Sequence, residues 1–408
     1  MQYTALFFIC PYWGHIMPVL SIAKRLKEYG HRIIFYTTEK YRHVFSGTGI
    51  IIENYRYIEH LQLHLNYIND NTSQLATLLA AYGRRFEEQE ILVEYAAEEM
   101  KKYKPNYIVY DYCDAYWAKA AAEKMQIIHI ASVPTFAIHP NMIDVAPEMC
   151  MKYILSLNEK EKNFPHLNGK TFIRHLNCII RKKYNVPRFD IMDYGNSQYL
   201  NLIHTSSAFQ PFSNIFPVHF KFIGIDANRH PAVTNKSMFV KTNKIIIYVS
   251  MGTVADTNCV EIYQKCIVAY KNTSYQVVMS IGQIPPEELG DIPDNITIYP
   301  FVPQGEILKV ANVFVTNGGM NSVNEALLGG VPMILVPRVS DQHIVARQVF
   351  ENGGGLILPY DFTIKMLKDS TIELLKNNYL KSCQTMGDTL RRAGGGETGT
   401  KEIIMLVQ

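Results

Sequence analysis

The residues best placed to do chemistry stand at the ends of short apolar runs. Cys10-Pro11-Tyr12-Trp13-Gly14-His15-Ile16-Met17-Pro18 follows the β-rich run Ala5 to Ile9 and leads into a helical pattern. His15 thus falls on a strand-to-helix turn, beside a glycine that permits close approach. Asp111 closes another β-rich run, Tyr107 to Tyr110. A carboxylate behind an imidazole fixes its tautomer and stabilises the imidazolium formed when the ring takes a proton. The two residues are candidates for a general base and its orienting acid. On spacing alone, His15 also reads as a plain helix-start histidine, and Asp111 as an N-cap of the helix that follows.

A second centre is Val315-Thr316-Asn317-Gly318-Gly319-Met320-Asn321-Ser322-Val323-Asn324-Glu325. A strand runs into two glycines and then into a helix whose first turn carries Asn321 and Ser322. Backbone N–H groups, the helix dipole and a hydroxyl suit an anion such as a diphosphate. Glu325 lies one turn along on the same face, where a carboxylate accepts bonds from ribose hydroxyls. The same Gly-Gly start also serves as an ordinary tight turn. His129 and His139 read as structural histidines with satisfied rings. The thirteen histidines show no metal-ligand spacing, and the seven cysteines are scattered without any CxxC. Neither a metal site nor a disulfide framework is expected, and a reduced, cytoplasmic setting fits best.

These loops need a frame. Ile16 to Tyr29 has apolar residues at Ile16, Val19, Leu20, Ala23 and Leu26, a helical spacing, and Gly30 separates it from a strand at His31 to Tyr36. A long helical stretch around Thr72 to Tyr103 precedes strand Tyr107 to Tyr110, helix Tyr116 to Met125 and strand Ile127 to Ala131. A second series has strands at Ile245 to Val249, Gln276 to Ser280, Ile296 to Tyr299, Val313 to Thr316, Met333 to Val336 and Leu356 to Leu358. Helices are predicted at Met320 to Leu328 and, after Gly394-Gly395-Gly396, at Thr400 to Leu406. Alternating β and α predicts an α/β protein with doubly wound parallel sheets, which bind ligands at the carboxyl ends of their strands.

At 408 residues the chain exceeds what one core usually supports. The expected division is a first domain over 1–222, a linker over 223–240, a second domain over 241–385 and a returning tail helix over 386–408. The region from Pro140 to Phe212 reads as helical excursions and loops rather than sheet. Lys plus Arg number 40 against 37 for Asp plus Glu, which argues against a nucleic-acid footprint. No run approaches the roughly 18 apolar residues of a membrane helix, and the N-terminus reads as a strand rather than a signal peptide.

Phe301-Val302-Pro303-Gln304, Asn317-Gly318-Gly319-Met320-Asn321-Ser322-Val323-Asn324-Glu325-Ala326-Leu327, Gly330-Val331-Pro332 and Asp341-Gln342 together resemble the donor-binding signature of UDP-glycosyltransferases. The likeness is to the bacterial macrolide-glycosyltransferase-like branch with the GT-B fold. Gly14-His15-xx-Pro18, Asp111 and Ser250-Met251-Gly252-Thr253 match further landmarks in order, so the resemblance spans essentially the whole chain. It implies two Rossmann-like domains facing across a cleft, His15 as general base and Asp111 as its orienting acid. Gly14 is implied at the donor. Phe301 takes the place where many members have a tryptophan near the uracil, and Val302 and Gln304 that of residues holding base and ribose. Asn321, Ser322 and the Gly319 amide match diphosphate ligands, with Thr253 a further phosphate contact. Glu325 matches the ribose ligand, and Asp341 with Gln342 the pair that binds hydroxyls of a glucose-like sugar. Asn317 is a departure. Most members have a histidine there that contacts the α-phosphate; an amide still donates but carries no charge.

The implied activity is inverting, metal-independent transfer of a hexose, glucose foremost, from a UDP-sugar to a hydroxyl of a small lipophilic acceptor. Macrolide, polyketide or phenolic natural products, as in antibiotic biosynthesis, are the expected acceptors. The chain has no DxD to hold Mg²⁺, and no cofactor is expected beyond the UDP-sugar co-substrate. Tyr12, Trp13, Tyr112 and Phe136 are candidates for an aromatic acceptor wall, with core packing the other reading. The alternatives are a sterol, carotenoid or lipid glucosyltransferase of the same fold, and a non-catalytic sugar-nucleotide-binding auxiliary protein.

Overall fold

The computed structural model describes residues 3–57, 90–150, 169–186, 188–226, 243–252, 259–338 and 340–408. It divides into two compact units. One comprises Met1–His204, Phe212–Ile223 and Gly394–Gln408, and the other Thr205–Pro211 and Gly224–Ala393.

The first unit is built on strands β1 (Thr4–Phe8), β2 (Arg32–Thr37), β3 (Ile51–Asn54), β4 (Tyr107–Asp111), β5 (Ile128–Val133), β6 (Leu200–Ile203) and β7 (Phe220–Phe222). They form a parallel sheet in the order β3-β2-β1-β4-β5-β6-β7. Parallel strands are covered on both faces, which is why β1 and β4 are near-continuous apolar runs. Phe8 pairs with Tyr36 on one side and with Tyr110 on the other, so the loops after β1 and β4 leave the sheet side by side. Helix α1 (Trp13–Glu28) buries Ile16, Val19, Leu20, Ala23 and Leu26, the stripe its sequence spacing predicts. Helix α2 (Tyr116–Lys124) joins β4 to β5, and helix α3 (Gly169–Tyr184) packs Phe172, Ile173, Leu176 and Ile180 into a satellite core with Met192 and Phe189.

Three strands lie where the sequence pattern does not announce them, and β6 corrects the reading of 140–212 as free of sheet. Its four residues include Asn201, whose buried amide donates to the Ser197 carbonyl at 2.7 Å and accepts the Ser197 N–H at 2.8 Å. A local turn thus uses a polar residue inside an otherwise apolar strand. Strand β3 is a partly exposed edge carrying Glu53, and β7 has only three residues.

The second unit repeats the plan. Strands β8 (Ile246–Ser250), β9 (Gln276–Ser280), β10 (Ile296–Tyr299), β11 (Val313–Thr316), β12 (Met333–Leu335) and β13 (Gly355–Ile357) form a parallel sheet in the order β10-β9-β8-β11-β12-β13. Around it lie α4 (Val260–Tyr270), α5 (Met320–Gly329), α6 (Ser340–Glu351), α7 (Ile364–Leu374) and α8 (Asn377–Ala393). Helix α8 runs to Ala393 within this unit, so the tail that belongs with the first unit begins at Gly394, later than the 386 expected. That tail is α9 (Gly395–Val407), which packs on α1. Close approach needs a glycine there: a Cβ on Gly399 would fall 2.6 Å from Ile22 Cδ1. Residues 227–240 of the expected linker and the part of the predicted 72–103 helix before residue 90 lie outside the described residues. Among the described residues, no helix is long and apolar enough to cross a membrane.

Candidate active site

In the first sheet the strand order reverses between β1 and β4, the point at which open α/β sheets bind ligands. His15 sits in the first turn of α1 and Asp111 is the last residue of β4. Their side chains meet, His15 Nδ1 to Asp111 Oδ2, at 2.6 Å. Asp111 is 1 % exposed and the His15 side chain 23 % exposed. The second carboxylate oxygen accepts the Cys113 backbone N–H at 2.8 Å, so both oxygens have a hydrogen-bond partner. Helix α2 has Ala115 at its N-cap with no side-chain cap, which removes the reading of Asp111 as that helix's cap. With Nδ1–H given to the carboxylate, the lone pair of the neutral ring lies on Nε2.

The aromatic candidates divide. The Tyr12 ring stands edge-on to His15 with centroids 5.6 Å apart. Trp13 and Gly14 are half-buried, whereas Tyr112 and Phe136 are buried, Tyr112 within the apolar core of the unit. His129, expected to be satisfied, is not: it is fully buried on β5 and neither ring nitrogen has a hydrogen-bond partner. Its surroundings are the edges of Tyr110 and Tyr199, with Glu123 Oε1 no closer than 3.8 Å. Burial, with the Lys119 charge as a lesser cause, pushes its pKa down to about 4. His139 accepts the Asn141 N–H at 3.2 Å and packs against Phe216 and Phe220.

In the second sheet the order reverses between β8 and β11, and Asn317 ties together the loops after these strands. Its amide Nδ2 donates to the Met251 carbonyl at 2.8 Å and its Oδ1 accepts the Gly319 N–H at 3.2 Å. The glycines around it are structural requirements. Gly252 (φ +79°) would put a Cβ 3.3 Å from Asn317 Nδ2, and Gly318 adopts φ +83° against Leu335. Helix α5 starts at Gly319 without a side-chain cap, leaving first-turn N–H groups for an anion. Asn321 and Ser322, both half-buried, lie in that turn.

One turn further, Gln304 Nε2 donates to Glu325 Oε2 at 2.8 Å and to Ser322 Oγ at 3.1 Å. The buried Tyr248 hydroxyl reaches Gln304 Oε1 at 3.4 Å. Glu325 is buried, Phe301 is 57 % exposed, and Val302 beside it is buried. Asp341 lies in the first turn of α6, and Gln342 accepts the Arg338 backbone N–H at 2.9 Å. Thr253 lies outside the described residues. Sequence reasoning missed Tyr248, hidden in an apolar run, and Arg338, whose guanidinium donates to Cys259 Sγ at 2.9 Å. It also missed Met251, which contributes only a carbonyl and so leaves no mark in side-chain chemistry.

Two parallel Rossmann-like units, each with polar groups gathered where its strand order reverses, have the architecture of the GT-B glycosyltransferases. Similarity to known proteins places the chain within that class. Residues 166–383 match the family model described as UDP-glucoronosyl and UDP-glucosyl transferase. The chain is 28 % identical over 399 residues to the uncharacterized UDP-glucosyltransferase YojK of Bacillus subtilis, covering 97 % of this chain and 95 % of that one. It is 29 % identical over 406 residues to the NDP-glycosyltransferase YjiC of Bacillus licheniformis, covering 98 % and 97 %. The crystal structure of the glycotransferase of kitacinnamycin superposes with a TM-score of 0.77 at 21 % identity, covering 100 % of both chains. The protein belongs to the UDP-glucuronosyl and UDP-glucosyl transferase family and is a glycosyltransferase.

Proposed function

We propose that this enzyme moves a hexose, glucose foremost, from a UDP-sugar to a hydroxyl of a small lipophilic acceptor such as a macrolide, polyketide or phenol, with inversion and without a metal. The observation that carries this reading is the 2.6 Å contact of His15 with a buried, doubly anchored Asp111. A hydroxyl is a poor nucleophile, and an oriented imidazole removes its proton as the oxygen attacks the anomeric carbon. Asp111 then stabilises the imidazolium.

The departing nucleoside diphosphate is an anion. The α5 N-terminus, Ser322 and the second N–H of the Asn317 amide meet its charge, so no acid or cation is demanded of the mechanism. Gln304 steadies Glu325 for the ribose, Phe301 stacks on the base, and Asp341 with Gln342 takes the sugar hydroxyls. A single displacement turns an α-linked donor into a β-glycoside. The names UDP-glucosyltransferase and NDP-glycosyltransferase carried by the relatives support the donor.

The test is transfer from UDP-glucose, UDP-GlcNAc and dTDP-glucose to a panel of macrolide, polyketide, phenolic and sterol acceptors, with the anomeric configuration read by NMR. A β-glucoside of a lipophilic acceptor is the expected product. An α-glycoside would refute inversion, and no transfer from any donor would refute the activity.

A further inference from the structure

The sequence holds no metal-binding spacing, yet the fold brings three ligand types to one point. A nitrogen of His15, a carboxylate oxygen of Asp111 and the Cys113 sulfur all lie within 4.8 Å of one another. Of the three residues Asp111 is buried, and His15 and Cys113 are half-buried, so the cluster is reachable from solvent. Two constraints hold it in place. Asp111 ends a central strand, and its own carboxylate accepts the Cys113 backbone N–H at 2.8 Å, which fixes the turn carrying the thiol.

Imidazole nitrogen, carboxylate oxygen and thiolate sulfur are the three ligand types zinc accepts, and zinc sites with three protein ligands keep a water as the fourth. Tetrahedral zinc spaces such ligands about 3.4–3.6 Å apart, given bonds of about 2.0–2.3 Å. The cluster needs side-chain adjustments of about an ångström to reach this. The thiol decides the selectivity. A hard cation such as Mg²⁺ prefers an all-oxygen shell, whereas borderline and soft ions accept sulfur and imidazole.

We propose that His15, Asp111 and Cys113 form an inhibitory site for a thiophilic divalent cation of the zinc type, superimposed on the catalytic pair. The ion binds Nδ1, the ring nitrogen that meets Asp111, and the Nδ1 proton moves to Nε2. The Cys113 thiol loses its proton to solvent, so one proton is released and the cation gains two anionic ligands and one neutral one. With Nε2 protonated, the imidazole has no lone pair for an acceptor hydroxyl. Inhibition thus follows from a locked tautomer, and a chelator reverses it. The cation site stands on the geometry; its inhibitory effect rests on the role of His15 as base.

The experiment separates the two. Co²⁺ is titrated into metal-free enzyme and into Cys113→Ser and Cys178→Ser variants, the latter removing an exposed thiol elsewhere. Wild type and Cys178→Ser should bind one Co²⁺ with a thiolate-to-cobalt charge-transfer band, and Cys113→Ser should lack the band. Zn²⁺ should displace the cobalt, and Cys113→Ser should weaken Zn²⁺ binding by about 10–100-fold or more. Transfer by the wild type should fall in proportion to Zn²⁺ occupancy and return with EDTA, while Cys113→Ser keeps its activity at the same Zn²⁺. No charge-transfer band in the wild type, or an undiminished band in Cys113→Ser, would overturn the site. Stoichiometric Zn²⁺ binding at Cys113 with unimpaired transfer would instead overturn the role of His15.

Discussion

Replacing Asn317 by alanine tests the donor half of the mechanism more sharply than any other single change. The substitution deletes two hydrogen bonds, one to the Met251 carbonyl at 2.8 Å and one from the Gly319 N–H at 3.2 Å. Neutral bonds of this kind contribute about 0.5–1.5 kcal/mol each, so the second unit should lose about 1–3 kcal/mol of stability. The effect on donor binding is smaller and has two parts. On the proposed donor role, loss of the second amide N–H removes one neutral bond to the α-phosphate, while release of the Gly319 N–H offers the anion a replacement donor. The balance should be UDP binding weakened by about two- to tenfold.

Calorimetry with UDP and thermal unfolding, run on wild type and Asn317→Ala, read the two effects separately. A loss of stability with unchanged UDP affinity would refute the phosphate contact and leave Asn317 as a brace alone. Unchanged stability would refute the brace. Asn317→His supplies the sign check. A protonated imidazole beside the diphosphate adds a charge-assisted bond of about 1.5–3 kcal/mol, but only below its pKa, near 6.5 when unperturbed. Its UDP affinity relative to wild type should therefore rise as pH falls through that region. A constant ratio between the two proteins across pH would show that the residue at 317 does not reach the phosphate.

Three further outcomes are expected. His15→Ala should lower kcat by about 10²–10⁴-fold with UDP affinity little changed, and Asp111→Asn should cost as much or less; near-normal kcat in His15→Ala would sink the base assignment. EDTA should leave transfer by metal-free enzyme unaffected; full loss with recovery on Mg²⁺ would show that the leaving-group chemistry is misassigned. His129 is held neutral by burial, its pKa falling from the ordinary value of 6.5 to about 4, so the unfolded chain binds more protons between these values. Stability should be intact above about pH 6.5 and decline toward pH 4 by about 3 kcal/mol from this residue alone. His129→Phe should flatten that decline in a comparison of unfolding midpoints at about pH 7 and about pH 4.5, and equal acid sensitivity in both proteins would contradict the assignment.

How much of this was legible depends on which groups carry the contact. Strands β9 and β11 match the residues their apolar runs predict, because a parallel strand buried on both faces has little else it can be, and the edge strand β10 matches through its alternation of apolar residues. Strand β6 was not legible, since Asn201 breaks the apolar run to make a local turn. Helix α3 was obscured in the same way, with Asn177 on its buried face accepting the Ile191 N–H at 2.9 Å. The dyad could be anticipated because both partners are side chains, one at the end of β4 and one at the start of the helix that follows β1. Contacts with one backbone partner could not: Asp111 with the Cys113 N–H, and Asn317 with the Met251 carbonyl. The missing partners of His129 were equally invisible, because an aromatic edge and a hydrogen-bond donor are not distinguished by strand periodicity.

The two units solve the same geometric problem with different chemistry. At a reversal of strand order, the two central strands send their connections to opposite faces, and the carboxyl ends between them are left open. In each unit one polar contact closes that gap: His15 after β1 to Asp111 at the end of β4, at 2.6 Å, and Met251 after β8 to Asn317 after β11, at 2.8 Å. A buried carboxylate suits the first because a positive charge must appear on its partner during the reaction. On the proposed mechanism the same carboxylate would be wrong in the second, since the group arriving beside it is an anion already. An amide there holds the loops without adding a like charge, and on the proposed mechanism its second N–H is the kind of donor a phosphate accepts from. On the proposed mechanism the Asn317 contact itself does not titrate, and the pH dependence of transfer is expected chiefly from the His15–Asp111 pair.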